Sequence, residues 1–136
     1  MGTPKTWKSV ELRVAKFLGT TRNPLSGGNA KHTRSDSLHP TIFAETKHGQ
    51  GCPQSWPGVL ELFTETEKLA AAEGKKALLV LHRKGGANVA DYDAYVRVTT
   101  LEGPAESLVV CVPLSVARDL LTAPPQRGEP APPSAI

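Results

Sequence analysis

The sequence predicts one α/β domain in which helices flank a mixed central sheet. Residues 77–81 read Ala-Leu-Leu-Val-Leu, and a strand that is apolar on both faces is typical of the centre of such a sheet. A segment with helical apolar spacing precedes this strand, as a crossover between parallel strands requires. With 136 residues, the chain is long enough for one hydrophobic core without disulfides or a structural metal.

The first helix is expected over residues 7–18, where apolar residues recur at helical spacing and Gly19 provides a natural stop. These apolar residues are Val10, Val14, Phe17 and Leu18. Glu11 lies at the edge of this stripe, from which a helical side chain can reach over the sheet. A short extended segment follows from Arg22 to a glycine turn at Gly27-Gly28.

Two short strands are expected on either side of His39-Pro40-Thr41. A tight turn centred on Pro40 and Thr41 places Asp36 opposite Glu45, with about 5 Å between the Cβ atoms of such cross-strand partners. Strand alternation puts Lys47 on the same face as Glu45, whereas Ala44 and Thr46 point the other way. Two carboxylates and one ammonium group therefore converge on one face of a hairpin.

The second half of the chain continues with a helix capped by Ser55 and ending at Gly74. Its predicted buried face consists of Trp56, Val59, Leu60, Phe63 and Ala70. The strand at 77–81 should lie beside the strand of Glu45, followed by strands at 92–99 and 107–112 and a short helix at 114–121. Residues 122–136 are rich in proline with few large apolar side chains, which predicts a disordered tail.

Composition limits the range of functions. The net charge of +3 is compatible with a polyanionic partner. Cys52 and Cys111 lie far apart without spacing partners, so we expect no disulfide and a reduced, intracellular protein, cytoplasmic in its own cell or in a viral host. The chain has no signal-like apolar core and no run of about 18 apolar residues, so no membrane association is expected.

The order of these residues resembles the PD-(D/E)xK nuclease superfamily, with Asp36 as the first acidic residue and Glu45-Thr46-Lys47 as the (D/E)xK element. A helical Glu, an Arg-containing strand ending in a Ser-Gly turn, an Asp and then Glu-x-Lys is the order found in archaeal-type Holliday junction resolvases and related phage nucleases. The resemblance covers the first half of the chain in its residues and the second half in the order of its elements. It implies a restriction-endonuclease-like core, α-β-β-β-α-β, within residues 1–121, extended by the C-terminal strands and short helix.

The resemblance also implies a metal-dependent DNA endonuclease. Asp36 and Glu45 would hold Mg²⁺, for which Mn²⁺ should substitute, with Glu11 and the carbonyl of Thr46 as further ligands. The catalytic residues would be Asp36, Glu45, Lys47 and Glu11. Lys47 would orient the attacking water or stabilise the negative charge that develops on the phosphate.

DNA would be contacted by residues around the same face. The resemblance and the local basic charge select Arg22, Ser26, Lys31, Arg34 and His48 for this role. The expected substrate is branched DNA. A four-way junction is cut on two strands related by near two-fold symmetry, so we expect a symmetric homodimer. The residues proposed for its interface are Phe63, Leu69, Tyr92, Tyr95 and residues 114–121.

Two other functions stay open. One is a nicking or intron-associated sequence-specific endonuclease on the same fold, although such enzymes usually carry recognition segments for which this chain has little room. The other is a non-catalytic nucleic-acid-binding protein, which would have no need to place Asp36 and Glu45 against phosphate. A zinc site is not expected, because His32, His39, His48 and Cys52 match no common zinc spacing.

Overall fold

The computed structural model describes residues 4–23, 35–83, 88–99 and 107–122, which form an α/β fold with three helices and a four-stranded mixed sheet. The helices are α1 (Pro4–Phe17), α2 (Trp56–Ala72) and α3 (Leu114–Thr122). The strands are β1 (Ile42–His48), β2 (Lys76–His82), β3 (Asp93–Thr99) and β4 (Ser107–Pro113). They lie in the order β1-β2-β3-β4, with β1 and β2 parallel and the other neighbours antiparallel.

Helix α2 is the crossover that makes β1 and β2 parallel. The hydroxyl of Ser55 accepts a hydrogen bond from the amide of Gly58 at 3.2 Å and caps the start of the helix. Gly74 follows the helix with a positive φ of 67°, a conformation that glycine adopts without strain. The predicted helix cap and helix stop are therefore confirmed. Glu45 is the register partner of Leu79, which confirms the predicted neighbouring strand.

The sheet has an apolar core on each face. The core on the side of α1 and α3 includes Ala44 and Val80, whereas the core on the side of α2 includes Leu79 and Leu81. Ala44 therefore faces α1, and strand alternation turns its neighbour Glu45 to the opposite face, as predicted.

The start of the domain differs from the predicted α-β-β-β-α-β order. Among the described residues that precede β1, Arg22 and Ser37 form an isolated antiparallel bridge, and no strand of the four-stranded sheet occurs there. The observed order is α-β-α-β-β-β-α. The two strands predicted before β1 are thus reduced to a single bridge in the described residues.

The predicted hairpin also forms only in part. The chain bends at Pro40 and Thr41, where Nδ1 of His39 accepts hydrogen bonds from the amides of Thr41 and Ile42, each at 3.1 Å. Before the bend, the amide of Asp36 donates to the carbonyl of Ala44 at 2.8 Å. Asp36 therefore lies beside Ala44 and not in a regular register opposite Glu45.

A serine hydroxyl explains why the hairpin stays incomplete. Oγ of Ser35 accepts a hydrogen bond from the amide of Ala44 at 2.9 Å and donates to the carbonyl of Ala44 at 3.2 Å. This side chain satisfies backbone groups of β1 that a partner strand would otherwise pair with.

Several predictions of helix burial and extent are corrected. Trp56 is 48% exposed because it is the first residue of α2, whereas Thr66 is buried and donates its hydroxyl to the Leu62 carbonyl at 2.9 Å. Helix α1 begins at Pro4, and α3 includes Thr122, which was predicted to belong to the tail; the remaining tail residues, 123–136, lie outside the described residues. No helix in the described ranges has the length and apolar character needed to cross a membrane.

Part of the predicted dimer interface belongs to the core of the protein. The buried residues of the proposed set are Phe63, Tyr92, Tyr95, Leu114, Ala117 and Leu121. These residues complete the two apolar cores and are therefore not available to a second copy. Val116 and Leu120 of α3, which also belong to the proposed set, are exposed.

Candidate active site

The predicted acidic and basic residues meet at the edge of the sheet formed by β1. Glu11 comes from α1, Asp36 from the segment before β1, and Glu45 and Lys47 from β1 itself. Glu45 and Glu11 both raise the pKa of Asp36, whereas Lys47 lowers it, so all three side chains lie within electrostatic reach of Asp36. The structure therefore brings together the four residues that were predicted to be catalytic.

Asp36 is the most perturbed acid of this cluster. Its side chain is buried, and its Oδ2 accepts a hydrogen bond from the amide of Thr46 at 2.7 Å. Burial, followed by the charges of Glu45 and Glu11, raises the pKa of Asp36 from 3.8 to about 8, although the Thr46 hydrogen bond and Lys47 oppose the shift. Asp36 therefore holds a proton at neutral pH, and a cation placed beside it would favour loss of that proton.

Two buried polar residues hold the backbone around Asp36. The amide of Asn23 donates to the Asp36 carbonyl at 2.9 Å, and Nδ2 of Asn23 donates to the Ser35 carbonyl at 2.9 Å. Ser35 in turn bonds to Ala44 of β1, as described above. Neither positioning residue was predicted from the sequence. For Ser35 the available signal was its place directly before Asp36, whereas Asn23 gave no local signal.

Glu11 is buried against Arg22. The Nε atom of Arg22 lies 2.7 Å from Oε1 of Glu11, and the two side chains are 17% and 7% exposed, respectively. The guanidinium group offsets part of the cost of burying this carboxylate. Arg22 thus has a structural role at the site, and its predicted contact with DNA stays a prediction.

We expect Arg22→Ala to lower the free energy of unfolding by about 3 kcal/mol, because it removes the guanidinium group that pairs with the buried Glu11 carboxylate. Adding Glu11→Gln to this variant should restore part of the loss, since the uncompensated charge is then removed. Urea unfolding of the two single variants and the double variant measures this coupling. A double variant less stable than Arg22→Ala would contradict the assigned role of the pair.

Glu45 and Lys47 form the more accessible pair of the site. Nζ of Lys47 lies 3.2 Å from Oε2 of Glu45, with side chains 37% and 22% exposed. This contact confirms that both residues occupy one face of β1. Partly exposed pairs of this kind contribute about 0–1 kcal/mol to stability, so Lys47 can exchange Glu45 for another anion at little cost.

The donor set fits a hard divalent cation, although the carboxylates are not already assembled around one. Within the described ranges, no three His, Cys, Asp or Glu side chains are arranged to hold a metal ion. Mg²⁺ commonly uses only one or two carboxylates, together with waters and substrate phosphate, so Asp36 and Glu45 can suffice. Oγ1 of Thr46 is buried without a hydrogen-bond partner in the described residues, whereas the amide of the same residue donates to Asp36.

The residues predicted to contact DNA are only partly described. Ser26, Lys31 and Arg34 lie outside the described residues. His48 is half-buried at the carboxyl end of β1, beside its register partner His82 on β2. Because ligands of open α/β sheets bind beyond the carboxyl ends of the strands, His48 is in a suitable place to contact one.

No protein-family model matches this chain, and no significant match exists among curated proteins or solved structures. The fold and the site define an α/β protein with a protonated, buried aspartate beside a Glu-x-Lys pair at the edge of its sheet. The chemistry of this site is the basis for a functional proposal.

Proposed function

We propose that the protein is a metal-dependent DNA endonuclease that hydrolyses phosphodiester bonds at the edge of β1. The observation that supports this proposal is the convergence of Asp36 with Glu45 and Lys47, in which burial and neighbouring carboxylates keep Asp36 protonated. Asp36 has no ion-pair partner within the described residues. A buried acid surrounded by like charges is costly unless a cation joins it, and perturbed acids of this kind are concentrated at functional sites.

In the proposed reaction, Asp36 and Glu45 would hold the cation, with the Thr46 carbonyl as a further ligand. Bound Mg²⁺, or Mn²⁺ in its place, would offset the negative charge that develops on the phosphate and activate the attacking water. Lys47 exchanges Glu45 for a non-bridging phosphate oxygen and stabilises the developing charge as a point donor. Glu11, which is itself held by Arg22, keeps a second carboxylate near Asp36 and so strengthens the local preference for a cation.

We further propose that the substrate is branched DNA and that the active species is a symmetric homodimer. One chain supplies one candidate metal site, and resolution of a four-way junction requires two cuts related by near two-fold symmetry. Apolar surface for a second copy remains on β4 and α3. Leu108 on β4 and both Val116 and Leu120 on α3 are exposed, and the sequence of β4 contains no charged residue.

A cleavage assay with Mg²⁺ on matched linear, nicked, flapped and four-way-junction DNAs tests this proposal. We expect cleavage that requires the divalent cation and is fastest on the junction. Sedimentation velocity at the assay concentration should show a dimer, and Leu120→Glu should shift it toward monomer. Equal cleavage of linear and branched DNA by a monomer would contradict the resolvase-like assignment, and absence of cleavage on all four substrates would contradict the nuclease itself.

A further inference from the structure

A pair of histidines joins the carboxyl ends of the parallel strands β1 and β2. His48 and His82 are register partners, and their Nδ1 atoms lie 2.8 Å apart. The ring centroids are 4.9 Å apart and the planes differ by 15°. If two imidazoles met end to end at Nδ1, the distance between their centroids would equal the N–N distance plus two ring radii. The observed centroid distance is close to that sum. The rings therefore lie end to end in almost one plane, which is the geometry of an N–H···N hydrogen bond and not of face-to-face stacking.

The burial of His82 determines which ring donates. When both rings are neutral, one Nδ1 carries the proton and the other accepts it. His82 is 5% exposed, and its Nε2 is buried without a hydrogen-bond partner in the described residues. A buried N–H without an acceptor is rarer in proteins than an acceptor without a donor. His82 is therefore protonated on Nδ1 and donates to His48, which carries its own proton on Nε2.

The surroundings of His82 disfavour a positive charge on its ring. Arg13 of α1 donates from Nη1 to the hydroxyl of Tyr92 at 2.6 Å, and the Tyr92 ring centroid lies 4.5 Å from that of His82. Burial lowers the pKa of His82, and the nearby His48 and Arg13 lower it further. An imidazolium at His82 would be both desolvated and close to a guanidinium group.

We propose that His48 donates its Nε2 proton to a DNA phosphate and that His82 is a positioning residue, which sets the tautomer and the orientation of the His48 ring. This inference rests on the proposed nuclease function. His48 is half-exposed, and its Nε2 has no hydrogen-bond partner in the described part of the chain. Three residues of extended strand separate it from Glu45, or about 10 Å along β1, and strand alternation turns its side chain to the α1 face, opposite to Glu45 and Lys47. His48 thus meets a phosphate other than the one that is cleaved.

A neutral donor has a distinctive signature in DNA binding. A lysine or arginine that binds phosphate releases counterions, so its loss lowers the slope of log K against log salt concentration by about one. A histidine that accepts at Nδ1 and donates from Nε2 carries no net charge and releases none. Its loss should therefore weaken binding without changing the slope, whereas Lys47→Ala should reduce the slope.

The test measures junction binding in EDTA, where cleavage is prevented, at several salt concentrations. We expect His48→Ala and His82→Leu to weaken binding about tenfold at an unchanged slope, as for loss of one hydrogen bond to a charged acceptor. His82→Asn should retain most of the affinity, because an asparagine amide can donate from near the position of Nδ1. This rescue separates positioning of His48 from a general packing role of His82.

A second measurement does not depend on DNA. ¹⁵N spectra of the imidazoles in the free protein should show a proton on Nδ1 of His82 and on Nε2 of His48. The reverse tautomers would overturn the inference, as would wild-type affinity in His48→Ala. In that last case cleavage by the wild-type protein would leave the nuclease proposal standing, whereas a wild-type protein that neither binds nor cleaves DNA would overturn both.

Discussion

Alanine at Asp36, Glu45 or Lys47 is expected to abolish DNA cleavage while the fold is retained. Each variant removes a group that would hold the cation or stabilise charge on the phosphate, and loss of one such group typically lowers a rate by about 10²–10³. The fold should persist because Glu45 and Lys47 are partly exposed and because Asp36→Ala removes an acid that burial disfavours. The measurement is single-turnover cleavage of a junction with Mg²⁺, accompanied by circular dichroism and thermal unfolding.

The matched control uses another acidic-basic pair on a helix outside the site. Glu65 and Lys68 lie 3.7 Å apart on the exposed face of α2, so Glu65→Ala and Lys68→Ala should cleave at the wild-type rate. Wild-type rates in all three site variants would rule out the proposed chemistry. So would full activity of the wild-type protein in EDTA.

The second large effect is a change of stability with pH that depends on Asp36. Between pH 4 and pH 8 the folded protein holds a proton on Asp36 that the unfolded chain releases, because burial and nearby carboxylates raise its pKa to about 8. The free energy of unfolding of the metal-free protein should therefore fall as pH rises through this range. One unit of pKa shift corresponds to about 1.4 kcal/mol, so the loss can reach about 6 kcal/mol above pH 8.

Asp36→Asn isolates this effect, because asparagine carries no charge and its carbonyl can still accept the hydrogen bond from Thr46. Urea unfolding in EDTA from pH 4.5 to 9 should show the variant gaining stability over the wild-type protein as pH rises. Asp91→Asn, which changes an exposed acid, is the control and should follow the wild-type curve. Parallel curves for wild type and Asp36→Asn would show that Asp36 is ionised throughout.

Binding of the cation should be accompanied by release of the Asp36 proton. If Asp36 is protonated in the metal-free protein, binding of Mg²⁺ or Mn²⁺ at pH 7 must displace a proton into the buffer. Calorimetry in two buffers with different heats of ionisation should give release of about one proton for the wild-type protein and none for Asp36→Asn. Binding without proton release would place the cation away from Asp36.

Features with a local physical origin were predictable from the sequence. The cap at Ser55 and the stop at Gly74 depend on the conformational preferences of single residues, and both occur. The apolar run of β2 indicated a strand covered on both faces, and its residues do contribute to both cores. Strand alternation placed Glu45 and Lys47 together, and the ion pair between them confirms it.

Features that depend on contacts between distant segments were not predictable in this way. A hairpin around Pro40 was a reasonable expectation, but the Ser35 hydroxyl bonds to Ala44 and replaces the partner strand there. Nothing in local periodicity distinguishes a side chain that will compete for backbone hydrogen bonds from one that will face solvent. Trp56 was misassigned for a related reason, since helical spacing does not show where a helix first contacts the sheet.

The sequence by itself determined which chemical groups lie on one face of β1, because a strand repeats every two residues whatever surrounds it. Tertiary structure alone decided their charge states and partners. The proton on Asp36 depends on burial and on Glu11, which lies 25 residues earlier in the chain. The hydrogen bond between His48 and His82 depends on the parallel register of β1 and β2. Desolvation and electrostatic interactions are set by distances in space, and a linear pattern of residues does not contain those distances.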